Sequence, residues 1–269
     1  MLSYRHAFHA GNSADVHKHW LLVLLLEHLQ QKEKPFCVID THAGDGLYDL
    51  QHASAQKTGE HAAGIARVWA AETLPASLAR YRARVAINNP DGELRWYPGS
   101  PILIRQYLRH SDKAILLEAH PTAYAHLKKA LVERGYVSVQ QRDALEGLPA
   151  IVPPKERRGL VLIDPSYEIK TDYHAIAEMV KQAYRKWPQG IYAIWYPMLA
   201  EGRHQHLCRA LQGMGVEHVR TELRLRHAES GMAGSGMVVL NPPWQFKEQL
   251  QAEGPVLAAL MENAVWHCD

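Results

Sequence analysis

The sequence lacks any long run of apolar residues. Its longest uninterrupted apolar run extends only from Trp20 to Leu26, whereas a membrane-spanning helix needs roughly 20 apolar residues. The first residues, Met-Leu-Ser-Tyr-Arg-His, contain no apolar segment of the kind found in secretory signals. We therefore expect a cytoplasmic protein with no membrane partner.

Cysteine is scarce, and neither sign of charge is in excess. The three cysteines, Cys37, Cys208 and Cys268, lie far apart and form no CxxC pair. This pattern argues against a disulfide framework or a zinc site and agrees with reduced thiols. The formal net charge is only +2 with histidine neutral, so a nucleic-acid partner would need a local basic patch.

What the sequence does contain is a regular alternation of short apolar runs and helical stretches. The predicted strands cover 36–40, 114–117, 137–139, 160–163, 191–195 and 237–240, with a further strand near 221–225. The predicted helices include 121–133, 171–187 and a first helix that begins at Asn12 or Ser13 and ends before Pro35. Such alternation is typical of an α/β fold with a mostly parallel, doubly wound sheet.

One spacing departs from a simple βαβ unit. The acidic residue that ends the second strand is expected about 20 residues after the Gly-rich loop, but Glu118 comes 72 residues after Gly46. The excess contains two helical stretches, 64–71 and 75–88. We therefore predict a single domain over 1–269, with an N-terminal extension and helix over 1–34. A small helical insertion over about 50–95 follows the first strand.

Glycines and carboxylates follow the first three strands, where ligands of open α/β sheets bind. The loop 40–46 reads Asp-Thr-His-Ala-Gly-Asp-Gly, and its glycines let the backbone approach a ligand closely. Glu118 is placed to accept the ribose hydroxyls of a nucleoside, and Asp143 to accept an adenine amino group. A lone carboxylate at a strand end is usually solvated or caps a helix, but three in succession indicate an adenosine-containing cofactor.

The fourth strand leads directly into Asp-Pro-Ser-Tyr, residues 164–167. Adenine N6 is a poor nucleophile, because its lone pair is delocalised into the ring. The Asp164 carboxylate and the Pro165 carbonyl would accept its N–H groups and stabilise the positive charge that develops on nitrogen. The ring of Tyr167 would stack on the base. An Asp-Pro-Ser turn is also common in ordinary loops, but this position favours catalysis of methyl transfer to an amine.

A competing motif, Asn-Pro-Pro-Trp, occupies residues 241–244 after the last predicted strand. The general pattern of such a catalytic loop is Asp, Asn or Ser followed by Pro-Pro and an aromatic residue. Residues 241–244 match this pattern better than residues 164–167 do. The catalytic loop should follow the strand that neighbours the first one across the switch point, which in this fold is the fourth. We therefore predict that residues 241–244 form a structural turn.

The N-terminus is rich in histidine, but no cysteine or carboxylate set completes a plausible metal site, so we predict no metal. The residues concerned are Tyr4, His6, His9, His17, Lys18 and His19. From the residues alone, a solvated helix start is the favoured interpretation, ahead of a cationic and aromatic surface that contacts phosphate and base. Further along, Ser100 precedes Pro101 and is predicted to cap the helix that follows.

Taken together, these motifs resemble the RlmJ family, bacterial methyltransferases that modify N6 of adenine 2030 in 23S ribosomal RNA. The similarity extends over nearly the whole chain, and the opening segment is its most specific part. The matching segments are 1–12, 40–44, 97–101, 163–165, 170–173, 195–197 and 241–244.

The resemblance implies a Rossmann-like class I methyltransferase domain that uses S-adenosyl-L-methionine (SAM). The cofactor residues would be His19, His42, Ser100, Glu118, Asp143, Ala144 and Asp164. The catalytic residues would be Asp164, Pro165 and Tyr167, and the substrate-binding residues Tyr4, His6 and Lys18. This favours the second interpretation of the N-terminus. The chain departs from the family pattern at Ser166, where many members have proline, and at Ala144, where glycine is common.

The predicted function is therefore methylation of an adenine N6 amine in 23S ribosomal RNA by a monomeric enzyme. One alternative is an adenine-N6 methyltransferase that acts on another RNA, on DNA or on a small amine. A second is a dinucleotide-dependent oxidoreductase, although the segment after Gly44 and Gly46 lacks the third glycine of that fingerprint. A third is a catalytically silent RNA-binding protein on the same fold, against which the intact Asp164 and Pro165 argue.

Overall fold

The structure, a computed structural model, describes residues 5–131, 135–225, 232–261 and 264–269. The strands are β1 (Cys37–Asp40), β2 (Leu47–Asp49), β3 (Trp96–Pro98), β4 (Lys113–Leu117), β5 (Val137–Gln140), β6 (Gly159–Ile163), β7 (Ile191–Leu199), β8 (His218–Leu225), β9 (Met232–Leu240) and β10 (Ala264–Cys268). The α-helices are α1 (Ser13–Gln30), α2 (Ala53–Thr58), α3 (Ile65–Ala70), α4 (Ala76–Ala86), α5 (Ser100–Tyr107), α6 (Pro121–Ala130), α7 (Ala144–Ile151), α8 (Asp172–Lys186), α9 (His204–Gln212) and α10 (Phe246–Leu260). Short 3₁₀ helices occupy His6–Phe8 and Glu60–Ala63.

The central sheet has eight strands in the order β10-β8-β9-β7-β6-β1-β4-β5. The five strands β5, β4, β1, β6 and β7 pair in parallel. The strand β9 runs antiparallel to β7 and β8, and β10 runs antiparallel to β8. The strand order reverses at β1, between β4 and β6. The mostly parallel, doubly wound sheet predicted from the apolar runs is thereby confirmed.

Both faces of the parallel strands are covered, which explains why these strands are continuous apolar runs. All residues of β1 and β6 are buried. Alternate residues point to opposite faces of a strand, so Val38 packs in a core with α1 while Ile39 packs in a second core with α8. The two cores hold the sheet between two helical layers.

The helix α1 is buried around its whole circumference, including its first turns. It begins after Asn12, whose side chain accepts the backbone N–H of Asp15 at 2.9 Å. Every residue from Ala14 to Leu26 is buried. The interpretation of the histidine-rich N-terminus as a solvated helix start is therefore wrong for α1, because its polar residues lie inside the protein.

The chain between β2 and β3 forms the helical insertion. These two strands pair antiparallel as a separate two-stranded sheet, and α2, α3 and α4 lie between them in sequence. The insertion contacts the N-terminal segment directly, because the backbone N–H of Ile65 donates to the carbonyl of Gly11 at 2.8 Å. A side chain at Gly64 would place its Cβ 2.1 Å from that carbonyl oxygen, so the close approach requires glycine there.

Candidate active site

Three acidic residues lie at the carboxyl ends of neighbouring parallel strands. Asp40 ends β1, Glu118 follows β4 and Asp164 follows β6. The loop after β1 contacts both other ends, since Thr41 donates its backbone N–H to the carbonyl of Leu162 in β6 at 3.0 Å and Ala43 donates to that of Leu117 in β4 at 2.9 Å. The structure thus brings together at one edge of the sheet residues that are far apart in sequence.

The carboxylate of Glu118 is held by two backbone N–H groups. Gly44 donates to Oε2 at 2.8 Å and His120 donates to Oε1 at 2.7 Å. Gly44 has a φ of +64°, and a Cβ on it would lie 2.5 Å from the hydroxyl of Tyr48. Burial raises the pKa of Glu118, and the two N–H donors oppose that rise. The geometry therefore fixes this carboxylate beside the Gly-containing loop.

Asp40 lies at the same strand ends, although the sequence motifs indicate no separate role for it. Its side chain is fully buried, and its Oδ2 has no hydrogen-bond partner among the described residues. Burial raises the pKa of Asp40 to about 7, with the hydrogen bond from Ser100 opposing the rise and the charge of Asp164 adding to it. A buried acceptor without a partner is rare in proteins and calls for a ligand group or an ordered water.

Ser100 does not cap its helix as predicted. Gly99 occupies the cap position of α5, and Ser100 is the first helical residue. Pro101 therefore stands at the second helical position rather than the first. The side chain of Ser100 instead faces Asp40 at the carboxyl end of β1.

The catalytic candidate Asp164 belongs to a network with the N-terminal residues. The Lys18 ammonium hydrogen-bonds to the Asp164 carboxylate and also lies 2.8 Å from Oδ1 of Asp15. Nε2 of His6 lies 2.8 Å from Oδ2 of Asp15. Burial raises the pKa of Asp164, and the ammonium of Lys18 opposes that rise. Asp15 was not singled out from the sequence, and Tyr4 lies outside the described residues.

Tyr167 is packed against other aromatic residues. It has a φ of +51° and its ring stacks on Tyr173 with centroids 4.4 Å apart. Its hydroxyl donates to the backbone carbonyl of Trp195 at 2.8 Å, and the side chain is only 6% exposed. Stacking of this ring on a base stays a prediction, and it would require the loop to open.

A second aromatic residue, Trp195, lies beside the Asp164 network and was missed as a site residue. Its indole N–H donates to the hydroxyl of Ser235 at 2.9 Å, and its ring is half-buried. The Lys18 ammonium lies 5.8 Å from the ring centroid. Trp195 ends the apolar run 191–195 that the sequence shows, and in β7 it follows Ile194, which pairs with Ile163 directly before Asp164.

The predicted cofactor histidines are both held in defined orientations. Nδ1 of His19 lies 2.7 Å from the hydroxyl of Tyr97, and burial lowers the pKa of His19 to about 3. Nδ1 of His42 lies 2.8 Å from the hydroxyl of Thr41, and burial lowers the pKa of His42 to about 4. Both imidazoles are therefore neutral near pH 7. They can interact with a ligand through their dipoles but not through a charge.

Asp143 and Ala144 begin α7 near the end of β5. The carboxylate of Asp143 is exposed and accepts the backbone N–H of Leu145 at 2.8 Å, so it caps the helix. Ala144 is buried as the first helical residue. Asp143 thus has the capping role that is usual for a lone carboxylate at a strand end, and its contact with adenine stays a prediction.

The competing motif at residues 241–244 lies at the opposite edge of the sheet. Since β9 runs antiparallel to β7, its last residue, Leu240, pairs with Tyr192 near the start of β7. The side-chain N–H₂ group of Asn241 donates to the carbonyls of Pro188 at 2.7 Å and Gly190 at 2.8 Å. The prediction of a structural turn is confirmed.

Neither a membrane-spanning helix nor a metal-binding cluster occurs within the described ranges. No helix there is long and apolar enough to cross a membrane. In the same part of the chain, no group of three or more His, Cys, Asp or Glu side chains is arranged to hold a metal ion.

The strand order, the acidic strand ends and the Asp-Pro loop after β6 define a Rossmann-like class I methyltransferase fold. The chain belongs to the RlmJ family, whose model, described as ribosomal RNA large subunit methyltransferase D, RlmJ, matches residues 33–268. The resemblance stated from the sequence is thereby confirmed.

Individual relatives agree with this assignment. The chain is 43% identical over 253 residues to ribosomal RNA large subunit methyltransferase J of Escherichia coli strain K12, covering 93% of this chain and 90% of that protein. It is 42% identical over 261 residues to the Haemophilus influenzae protein of the same name, covering 96% and 93%. A crystal structure of a Legionella pneumophila protein matches with a TM-score of 0.91 at 35% identity, covering 97% of this chain and 98% of that one.

Proposed function

We propose that this protein transfers a methyl group from SAM to the N6 amine of an adenine in 23S ribosomal RNA, with adenine 2030 as the target that the family resemblance implies. The observation that carries the proposal is the position of Asp164, directly after the strand that neighbours β1. Membership of the RlmJ family and the names of both relatives support ribosomal RNA as the substrate class.

The residues at the strand ends fit a cofactor that is both cationic and a nucleoside. The Oδ2 of Asp40, which has no hydrogen-bond partner within the described part of the chain, offers an acceptor to a cationic N–H group. The fixed carboxylate of Glu118 offers acceptors to ribose hydroxyls. We propose that SAM is held by His19, His42, Ser100, Glu118, Asp143, Ala144 and Asp164. Bound there, it would supply an electrophilic methyl group.

Asp164 and Pro165 would prepare the amine for attack. A carboxylate that accepts an N–H bond from the amine draws the nitrogen lone pair out of conjugation and opposes the positive charge that grows on nitrogen. The Pro165 carbonyl would provide the second acceptor. The ammonium of Lys18 already hydrogen-bonds to Asp164, so an incoming amine shares that carboxylate with Lys18 or displaces it.

We propose that Tyr4, His6 and Lys18 contact the RNA. The support for His6 and Lys18 is their shared contact with Asp15, which places both side chains beside Asp164. His6 is partly exposed, whereas Lys18 is 5% exposed. We therefore expect His6 to meet the RNA at the mouth of the site and Lys18 to meet the extruded base inside it.

The test is transfer of tritiated methyl from SAM into 23S ribosomal RNA that lacks the modification, followed by nucleoside analysis. We expect the label in N6-methyladenosine with the wild-type protein and its near absence with Asp164→Asn. A parallel reaction offers DNA in place of RNA. Label in the DNA but not in the RNA would support the alternative of a DNA enzyme. Binding of the RNA with no transfer of label would support the silent RNA-binding protein and overturn the proposal.

A further inference from the structure

The first turn of α1 contains a buried carboxylate, Asp15, that no part of the proposed mechanism uses. It is 1% exposed. Its Oδ1 lies 2.8 Å from the ammonium of Lys18, and its Oδ2 lies 2.8 Å from Nε2 of His6. The two described residues proposed to contact RNA therefore share one acidic partner.

Asp15 is itself held in place from two sides. Its backbone N–H donates to the side chain of Asn12 at 2.9 Å, and its Oδ2 accepts the backbone N–H of Gly11 at 2.9 Å. Gly11 has a φ of +77°, and its carbonyl accepts the N–H of Ile65 in the insertion at 2.8 Å. The position of this carboxylate is thus set by the backbone on both sides of the N-terminal turn.

We propose that Asp15 is a positioning residue for methyl transfer, which holds Lys18 and leaves Asp164 with negative charge for the attacking amine. The proposal rests on the proposed function. Lys18 stands between two carboxylates, so its single positive charge is shared by Asp15 and Asp164. Without Asp15, the whole charge of the ammonium would be directed at Asp164, whose carboxylate would then be a weaker acceptor for the amine.

The electrostatics of the network agree with this arrangement. Burial alone would raise the pKa of Asp15, but the charges of His6 and Lys18 and the hydrogen bond from His6 outweigh it and hold the pKa well below its usual range. Burial alone would lower the pKa of Lys18, but the two carboxylates raise it instead. Asp15 and Lys18 are therefore both charged at neutral pH.

The change that isolates this role is Asp15→Asn. Because the N–H of Gly11 requires an acceptor at the Oδ2 position, the amide oxygen takes that place and keeps the contact with His6. The amide N–H₂ group is then directed at Lys18, which loses its acceptor. We expect the single-turnover rate of methylation to fall about 10²-fold, as is typical of displaced catalytic groups, with unchanged affinity for S-adenosylhomocysteine.

A double-mutant cycle separates positioning from a general loss of stability. In a Lys18→Met background the partner of Asp15 is absent, so Asp15→Asn should change the remaining rate by less than about twofold, because coupled residues are non-additive. The matched control is Asp112→Asn, which alters another fully buried carboxylate, bonded to Phe36 and Arg109 away from the site. It should reduce stability without changing the rate per folded molecule.

The outcomes distinguish this proposal from the proposed function. If the wild-type protein methylates no ribosomal RNA, the proposed function fails. If the wild-type protein is active and Asp15→Asn matches it per folded molecule, the positioning role is overturned. It is also overturned if Asp15→Asn lowers the rate by the same factor with Lys18 and with Met at position 18, because a purely structural defect would be additive.

Discussion

Nδ1 of His19 lies 2.7 Å from the hydroxyl of Tyr97, which in turn lies 2.9 Å from the hydroxyl of Tyr81. All three side chains are buried. They connect α1 to β3, which closes the insertion, and to α4 within it. Because Tyr97 orients the imidazole, the proposed cofactor contact of His19 depends on a residue of the insertion's own small sheet.

The first prediction is that Tyr97→Phe weakens cofactor binding. The change leaves the ring nitrogen of His19 and the hydroxyl of Tyr81 without their shared partner, which costs about 1–3 kcal/mol of stability for a buried polar group. It also frees the imidazole to rotate. Titration calorimetry with S-adenosylhomocysteine should show reduced affinity. The control Tyr81→Phe keeps the contact between His19 and Tyr97, so it should lose stability but keep its affinity.

The second prediction concerns Glu118 and the identity of the cofactor. S-adenosylhomocysteine should raise the Tm of the wild-type protein, because a ligand that binds only the folded state stabilises it, whereas NAD should not. Glu118→Ala should abolish this increase. Glu146→Ala, which removes a carboxylate that is 76% exposed, should preserve it. An increase in Tm with NAD alone would contradict the methyltransferase assignment.

The third prediction uses the pKa of Asp40 in the protein without ligand. Burial raises that pKa from 3.8 to about 7, so the folded state favours the protonated carboxyl. The stability contributed by Asp40 is present below pH 4 and is lost as the pH rises to 7. Asp40→Asn cannot ionise and should escape this loss. The difference in unfolding free energy between variant and wild type should therefore grow between pH 4 and pH 7.

The difference in unfolding free energy between Asp40→Asn and wild type should grow by at most about 4 kcal/mol over this pH range, because the pKa of Asp40 rises from 3.8 to about 7. Urea denaturation of both proteins at a series of pH values provides the measurement. Groups that do not interact with Asp40 affect both proteins equally and cancel in the difference, whereas the carboxylate of Asp164, whose charge acts on Asp40, contributes to it. A difference independent of pH would show that Asp40 ionises normally.

Sequence patterns predicted the fold well, because the apolar runs of the parallel strands reflect burial on both faces. They did not predict β2 and β3, which are three residues long and show no periodicity. The burial of α1 on all sides was also missed. The helix itself was predicted, but its polar residues are buried by contacts with distant parts of the chain.

The site was predicted in part for a similar reason. Carboxylates at the strand ends can be located from the sequence, since the carboxyl ends of parallel strands meet at one edge. Partners of individual side chains cannot, because Lys18 and Asp164 are 146 positions apart. The place of Asp15 between His6 and Lys18 likewise depends on how α1 lies across the sheet.

The last prediction compares the two proline-containing loops. Asp164→Asn keeps the shape of the side chain and one acceptor oxygen, but it loses the charge that opposes the cation forming on the amine. Removal of one such electrostatic group typically costs about 10²–10³ in rate. Asn241→Ala loses two hydrogen bonds to Pro188 and Gly190 and leaves alanine at a φ of +53°.

For Asn241→Ala we therefore expect a loss of stability of about 1–3 kcal/mol and an unchanged rate per folded molecule, because the loop lies at the other edge of the sheet. Single-turnover methylation of an RNA fragment, normalised to folded protein, measures both variants. If Asn241→Ala were inactive while Asp164→Asn retained its activity, the catalytic loop would have to follow β9. Because β9 runs antiparallel to β7, residues 241–244 lie at the end of the sheet opposite Asp40 and Glu118. We therefore expect that, of the two variants, only Asp164→Asn loses catalysis.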